Sequence, residues 1–394
     1  MFINKRSTKI LFYLGPVSCL LLACALTARF NQQESQPTPE TTMAPSTAQQ
    51  DLFSLPAPLY YLQDGQIWRL DPDAQTKRQI TSEGTPVEMF DISPVDGSLA
   101  YISNNSLIKS NPDGGSREIL LVGSELSPHT DELTRLNETD QITSAIRSPH
   151  WSPNGQKIAI INNGLQVYDL EKNQVEPIYF YTNAPDEPNL LANLLSWSPD
   201  GQHFLVSHYT YPIETTHQLK LGLFTPDKYL YDLCESYLTT FTWNPDSTKL
   251  FLANAAYGAP QSLQVCELVN IECTLIAEYE PARWYYYYAY PFLTAEDRLL
   301  VFMGSSDDDF KIPETFKLIS LNTDGTNRQN LRNDGYSLAA ALWSPEGDGV
   351  VIVLAEGTTD LLGGSMLWLA ATDQPAVPLH IMHAENLRWD LSNK

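Results

Sequence analysis

The stretch Trp151-Ser-Pro-Asn-Gly155 decides the fold of this chain, because it recurs along the sequence. Full copies follow at Trp197-Ser-Pro-Asp-Gly201 and Trp343-Ser-Pro-Glu-Gly347. Degenerate copies are Trp243-Asn-Pro-Asp-Ser247 and Asp91-Ile-Ser-Pro-Val-Asp-Gly97, and an apolar run comes after each copy. A repeat of about 40–50 residues is typical of propellers and solenoids.

Each repeat predicts a four-stranded antiparallel sheet. Pro pre-sets the first turn dihedral and Gly supplies the positive φ that closes a hairpin, so the motif is the end of one strand and a tight turn. The apolar run, such as Lys157-Ile-Ala-Ile-Ile161, is a second strand buried on both faces. An alternating third strand, a polar turn and a short outer strand complete the unit.

The number of repeats predicts seven blades. Six units begin near Asp91, Trp151, Trp197, Trp243, Phe292 and Trp343. Residues Leu59–Ser82 read as the second to fourth strands of a unit that has no first strand before it. Asn386–Ser392 reads as a lone first strand, and pairing it with Leu59–Leu62 would close the ring. We therefore predict an all-β, seven-bladed β-propeller over residues 57–394, with six or eight blades as the alternatives.

The repeat resembles the TolB-type, WD40-like (PD40) β-propeller repeat, over roughly residues 57–394. The motif is specific for the repeat and says little about the role, since a propeller is a scaffold for many functions. This chain also departs from TolB itself, which has six blades and an N-terminal α/β domain. The segment before residue 57 is too short and too polar for such a domain.

The N-terminal residues predict the cellular address. Residues 1–23 have a basic start and an apolar core, which is typical of a secretory signal peptide. They end in Leu21-Leu-Ala-Cys24, which resembles a bacterial lipobox, and the resemblance implies lipid attachment to Cys24. Residues 24–56 are rich in Gln, Thr, Pro and Ser, so we expect a disordered linker. The chain is then a lipoprotein on the extracytoplasmic side of the cell envelope, in the periplasm or at the cell surface.

Charge and cysteine content exclude several classes of function. The formal net charge of -23 disfavours electrostatic binding to nucleic acid or to an anionic membrane surface. The membrane is then contacted through the lipid anchor only, and we expect a monomer. Cys266 and Cys273 flank a short turn on adjacent strands, where a disulfide and two packed thiols are both open. No spaced Cys or His motif supports a metal site, so we expect no cofactor and no metal.

Binding is expected on the face that carries the connections between strands two and three and between strands four and one, because their length varies most. The aromatic-rich connection Trp284–Tyr290 is the most unusual segment on it. Aromatic rings with a polar tip suit protein or glycan partners, although alternate rings could instead pack between blades. The candidate ligand contacts are Tyr209, Tyr211, Tyr257, Trp284, Tyr285, Tyr287, Asp307 and Asp309.

Two functions remain open at this stage. The first is a binding module for an envelope protein or a glycan. The alternative is a propeller-based envelope enzyme acting on glycans, a hydrolase or a lyase, which would need convergent carboxyl groups or His side chains at the axis. No Gly-x-Ser-x-Gly elbow is present, so the sequence nominates no catalytic residue.

Overall fold

A computed structural model describes residues 53–123, 145–180, 189–210, 219–228, 230–235, 239–254, 263–277, 285–307, 313–356 and 360–392. In these ranges the chain forms seven four-stranded antiparallel sheets and no helix. The predicted all-β, seven-bladed propeller is confirmed. No segment of the described ranges is a helix long and apolar enough to cross a membrane.

Every blade consists of four strands that follow one another from the axis to the rim. In blade 1 they are β28 (Glu385–Trp389), β1 (Leu59–Gln63), β2 (Gln66–Leu70) and β3 (Lys77–Gln79). In blades 2 and 3 they are β4 (Val87–Ile92), β5 (Leu99–Ser103), β6 (Ser106–Ser110), β7 (Glu118–Val122), β8 (Arg147–Trp151), β9 (Lys157–Ile161), β10 (Gly164–Asp169) and β11 (Gln174–Phe180).

The strands of the remaining blades follow the same order. In blades 4 and 5 they are β12 (Asn189–Trp197), β13 (Phe204–Thr210), β14 (Leu219–Phe224), β15 (Leu230–Glu235), β16 (Thr239–Trp243), β17 (Lys249–Asn254), β18 (Leu263–Glu267) and β19 (Glu272–Ala277). In blades 6 and 7 they are β20 (Tyr285–Leu293), β21 (Arg298–Ser306), β22 (Lys317–Asn322), β23 (Gln329–Asn330), β24 (Leu338–Trp343), β25 (Gly349–Glu356), β26 (Asp360–Ala370) and β27 (Val377–Met382).

Blade 1 is built from two distant parts of the chain, as the sequence predicted. Strand β28 pairs antiparallel with β1, with Trp389 opposite Leu59 and Glu385 opposite Leu62. The strand is shorter than the predicted Asn386–Ser392, because it ends at Trp389. Asp390 then accepts hydrogen bonds from the Ser392 amide and hydroxyl and turns the chain.

The Ser-Pro-x-Gly segments form the tight turns between strands one and two. In blade 3 the Ser152 amide donates to the Lys157 carbonyl and the Gly155 amide donates to the Ser152 carbonyl, both at 2.9 Å. Gly155 has a φ of 67°, in the left-handed region that glycine adopts without steric cost. The Ser152 hydroxyl also accepts from the Lys157 amide. The motif therefore encodes a turn whose hydrogen bonds are satisfied within it.

The hydrophobic core is divided among the blade interfaces. The buried apolar side chains of the described residues fall into seven clusters, and each cluster joins two neighbouring sheets. Second strands contribute to both of their interfaces: in β9, Ile158 and Ile160 pack toward blade 2, whereas Ala159 and Ile161 pack toward blade 4. Each fully buried Ile side chain contributes about 1.5–3 kcal/mol, so these runs stabilise the stacking of blades.

Candidate functional site

The Tyr-rich segment lies elsewhere than the sequence suggested. Tyr285–Tyr290 belongs to the inner strand β20 rather than to a connection. Tyr287 is fully buried in the core between blades 6 and 7, and Tyr288 is buried in the core between blades 5 and 6. Because both faces of this strand meet a neighbouring blade, Tyr287 is placed in the core and away from any ligand on the surface. Tyr285 is partly exposed and packs at the edge of the same core.

The other candidate contacts are only partly covered by the structure. Asp307 is exposed at the end of β21. Tyr209 lies in β13, and its side chain is outside what the structure describes, as are Tyr211, Tyr257, Trp284 and Asp309. The ligand contacts on this face therefore stay predictions.

Cys266 and Cys273 lie directly opposite each other on β18 and β19, and the structure joins them in a disulfide. Cys266 is fully buried, while Cys273 is partly exposed. The bond ties the outer strand of blade 5 to its third strand. Among the described residues, no group of three or more His, Cys, Asp or Glu side chains could hold a metal ion.

A belt of hydrogen bonds connects the first strands around the axis. The indole N–H of Trp389 donates to the Trp343 carbonyl at 2.7 Å, and that of Trp343 donates to the Tyr290 carbonyl at 2.8 Å. The Tyr290 amide in turn donates to the Thr240 hydroxyl. The indole N–H of Trp243 donates to the Ser196 hydroxyl at 3.0 Å.

The belt is completed in blades 1 to 4. Arg147 donates to the Leu191 carbonyl of blade 4. The Trp151 amide of blade 3 and the Arg388 guanidinium of blade 1 both donate to Asp91 of blade 2. Each of the seven interfaces therefore has at least one direct bond between inner strands, which holds the ring as one unit.

Asp91, His150 and Arg388 form the charged cluster of this belt. They occupy the same repeat position, immediately before the Trp of the motif or its replacement Ile92. Asp91 lies 2.9 Å from the Nε of Arg388 and 3.8 Å from the Nδ1 of His150. Burial lowers the pKa of His150 to about 4; Arg388 acts in the same direction, and Asp91 opposes it. His150 is thus neutral at pH 7.

Sequence reasoning missed this cluster, although a signal was present. The residue before the motif Trp changes from blade to blade, and it is charged or titratable only in blades 1 to 3. The cluster pairs the positive charge of Arg388 with the negative charge of Asp91 beside the axis. Asp91 is already bonded to Arg388 and to the Trp151 amide, so it is not a free general base.

A groove opens on the opposite face, where the Ser-Pro-x-Gly turns lie. It runs between blades 3 and 4, encloses about 600 Å³ and is lined by residues from both blades. Trp197 and Phe204 contribute aromatic rings to its lining, with centroids 4.5 Å apart and planes inclined at 63°. Asn154, Gln202, Lys157, Lys228, Glu176 and Asp200 contribute polar groups. No feature of the sequence indicated a role for this face.

Comparisons with known proteins support the fold and leave the function open. No protein-family model and no curated protein sequence matches the chain. Among solved structures, an oligogalacturonate lyase from Vibrio parahaemolyticus is similar, with 9% identity, a TM-score of 0.54 and coverage of 81% of this chain and 84% of that one. An oligogalacturonate lyase in complex with manganese has 8% identity, a TM-score of 0.53 and coverage of 81% and 82%.

TolB from Acinetobacter baumannii is also among the matches, with 14% identity, a TM-score of 0.41 and coverage of 82% and 78%. At these identities a shared propeller says nothing about shared chemistry, because one fold hosts many functions.

Proposed function

We propose that this chain is a lipid-anchored protein of the cell envelope whose propeller binds a protein or a glycan. Its binding face carries the connections between strands two and three and between strands four and one; we call it the loop face. The observation that carries the proposal is the uneven distribution of chain length between the two faces of the ring.

The turns between strands one and two are uniformly short. They comprise residues 93–98, 152–156, 198–203, 244–248, 294–297 and 344–348. The two–three connections differ widely in length, as do the four–one connections. The former are residues 64–65, 104–105, 162–163, 211–218, 255–262, 307–316 and 357–359, and the latter include 123–146, 181–188 and 278–284. Elaborated connections on a rigid scaffold are where binding residues usually lie.

The scaffold supports such a role because it fixes the positions from which the connections leave. The belt of hydrogen bonds joins the first strands, and the buried cores hold neighbouring blades together. A partner that contacts several connections therefore meets a preorganised surface, which lowers the entropy cost of association. Asp307 and the partly exposed Tyr285 mark the edge of this surface in the described ranges.

The proposed location in the cell envelope follows from the N-terminal sequence. A signal peptide over residues 1–23, the lipobox that ends at Cys24 and the polar linker up to residue 56 form one consistent series. A disordered linker of this length would hold the propeller away from the membrane and leave both of its faces accessible.

The test is a loop replacement in the full-length protein. In blade 4, residues 211–218 are exchanged for the two-residue turn of blade 2, Asn104-Asn105, whose φ values of 50° and 49° suit a tight hairpin. Tagged wild-type and variant proteins are used to capture partners from a detergent extract of the envelope. We expect a partner that the wild type retains to be lost from the variant, with an unchanged melting temperature.

The matched control alters the opposite face. Substituting the exposed Val95, in a one–two turn, by Ser should leave capture of that partner intact. A partner that binds both variants as well as the wild type would contradict the loop face as the binding face. The alternative of a glycan hydrolase or lyase would be favoured instead if the wild-type protein released new reducing or unsaturated ends from envelope glycans.

A further inference from the structure

We propose that the groove between blades 3 and 4, on the face opposite the loop face, binds a neutral carbohydrate chain. The groove begins near the axis at the turns that contain Pro153 and Pro199, and it extends outward to Glu176 and Lys228 near the rim. Its volume of about 600 Å³ lies within the usual range of ligand sites. This site is additional to the proposed function and does not depend on it.

At their turns, blades 3 and 4 approach each other less closely than blades 2 and 3 or blades 6 and 7 do. A Cβ placed on Gly155 would lie 2.9 Å from Val95 of blade 2, and one on Gly347 would lie 2.4 Å from Phe292 of blade 6. At the equivalent Gly201, the nearest atom would be Pro153 at 3.6 Å. The turn of blade 3 therefore stands further from Gly201 than the facing side chains stand from Gly155 and Gly347.

Within the groove lies a partly exposed aromatic ring whose equivalents in blades 1, 3 and 7 are buried. Trp151, Trp343 and Trp389 are only 5%, 8% and 8% exposed, respectively. Trp197, at the same motif position, is partly exposed and lines the groove. Its indole offers an apolar surface on which the C–H face of a sugar ring can pack, and the neighbouring Phe204 holds the indole in place.

The walls supply donors and acceptors suited to hydroxyl groups. Asn154 and Gln202 are exposed amides on opposite walls. The Asn154 Oδ1 accepts from the Ser152 hydroxyl and the Gln156 amide, so Asn154 offers a ligand its second N–H donor, whereas the Gln202 amide can both donate and accept. Lys228 uses one of its three donors on the Pro177 carbonyl at 3.3 Å. An aromatic surface with a few polar groups around it is the arrangement of a small-molecule site rather than of a flat protein interface.

Charge selects the class of carbohydrate. Two lysines, Lys157 and Lys228, are balanced by two carboxylates, Glu176 and Asp200. Hydrogen bonds from Ser198 and the Gln202 amide lower the pKa of Asp200 against the opposing effect of burial, so it stays ionised. In a chain with a net charge of -23, a groove without excess positive charge gives an anionic chain no compensation for long-range repulsion. A neutral oligosaccharide is therefore favoured.

The experiment is a titration of the full-length protein in detergent with neutral hexasaccharides. The probes are cellohexaose, maltohexaose and chitohexaose, with a hexamer of uronic acid as the charged probe. We expect at least one neutral probe to bind with a Kd below about 1 mM, and the charged probe to bind at least about tenfold more weakly. Trp197→Leu should weaken binding of the neutral probe at least about tenfold, because it removes the aromatic face.

Trp243→Leu is the matched control. Trp243 occupies the same motif position in blade 5 and is also partly exposed, but it packs between blades 4 and 5 and does not line the groove. Its substitution should leave affinity unchanged even where it lowers the melting temperature. Lys228→Gln, at an exposed position, is a second probe of the groove that leaves the core untouched, and it should weaken binding by a few-fold.

Several outcomes would overturn the proposal. It fails if no neutral hexasaccharide binds up to about 10 mM, or if Trp197→Leu and Lys228→Gln both bind as the wild type does. It also fails if Trp243→Leu loses affinity as much as Trp197→Leu, since the effect would then be general. If the uronate hexamer bound more tightly than the neutral hexasaccharides, the assigned class of ligand would be refuted. Binding of a Pro-rich peptide, tested as a further probe, without binding of any hexasaccharide would refute it as well. Each result is independent of whether the loop-face partner exists.

Discussion

At the scale of single residues, His150 shows what burial beside a charged pair does to a titratable group. Its folded-state pKa of about 4 lies below its usual value of 6.5, so between these values the unfolded chain takes up a proton that the folded protein does not. The free energy of unfolding should therefore decrease as the pH falls from about 6.5 toward 4. The full effect corresponds to about 3 kcal/mol.

Substituting His150 by Gln should flatten this pH dependence between about pH 6.5 and 5, because Gln cannot take up the proton. The measurement is urea unfolding of the full-length protein across that range. An unchanged slope in His150→Gln would mean that His150 is protonated as readily in the folded state as in the unfolded one.

Ser247 is a residue where two local effects oppose each other. It replaces the motif Gly in blade 5 and adopts a φ of 59°, which is unfavourable for a side chain with a Cβ. Its hydroxyl compensates by accepting a hydrogen bond from the Asp200 amide of blade 4 at 2.9 Å. At Ser247, a hydrogen bond between blades therefore offsets the unfavourable backbone conformation.

Two variants of Ser247 separate these effects. Ser247→Ala loses the hydrogen bond and keeps the strain, whereas Ser247→Gly loses the bond and relieves the strain. We expect Ala to be less stable than Gly by about 1 kcal/mol, with Gly close to the wild type. Chemical denaturation would show this difference, and equal stability of the two variants would show that no strain is stored at this position.

At the scale of elements, the five-residue strand β28 contributes to the closure of the whole ring. Its Trp389 is 8% exposed, bonds to the Trp343 carbonyl and packs against Trp368 with ring centroids 6.4 Å apart. The strand thereby joins blade 1 to blade 7. Its loss would expose the edge of β1 and open the belt at this interface.

Deleting residues 387–394 should therefore destabilise the whole propeller, and Trp389→Ala alone should cost about 3–5 kcal/mol. Thermal melting and denaturant unfolding measure both effects. The control is Arg388→Lys in the same strand, which keeps a positive charge beside Asp91 and should cost much less. A truncated chain that melts like the wild type would contradict closure of the ring through β28.

At the scale of the whole molecule, the N-terminal segment and the propeller are expected to act independently. In the proposed function, a lipid on Cys24 would set the location, while the ring would provide the binding surfaces. Cys24→Ser should move the protein from the membrane fraction to the soluble fraction without changing the melting temperature of the propeller. Fractionation and detergent-phase partitioning measure this, with Cys234→Ser as the control. Unchanged partitioning of Cys24→Ser would show that something other than a lipid on Cys24 holds the protein at the membrane.

The sequence by itself determined the class of fold, the number of blades and the closure by the C-terminal strand. Those features follow from local rules: Gly155 and its equivalents require a turn, and apolar runs such as β9 require burial on both faces. Each rule operates within a single repeat, so it can be read from consecutive residues. The order of the repeats then fixes which blades are neighbours.

The sites were decided by the tertiary structure. Tyr287 was a candidate ligand contact, but its side chain is buried in the core between blades 6 and 7. Asp91, His150 and Arg388 come from blades 1 to 3, and the halves of the groove at Trp197 come from blades 3 and 4. Whether a side chain is covered depends on the residue that faces it from the next blade, about 45 positions away in the sequence or at the other end of the chain. That pairing arises only when the ring closes.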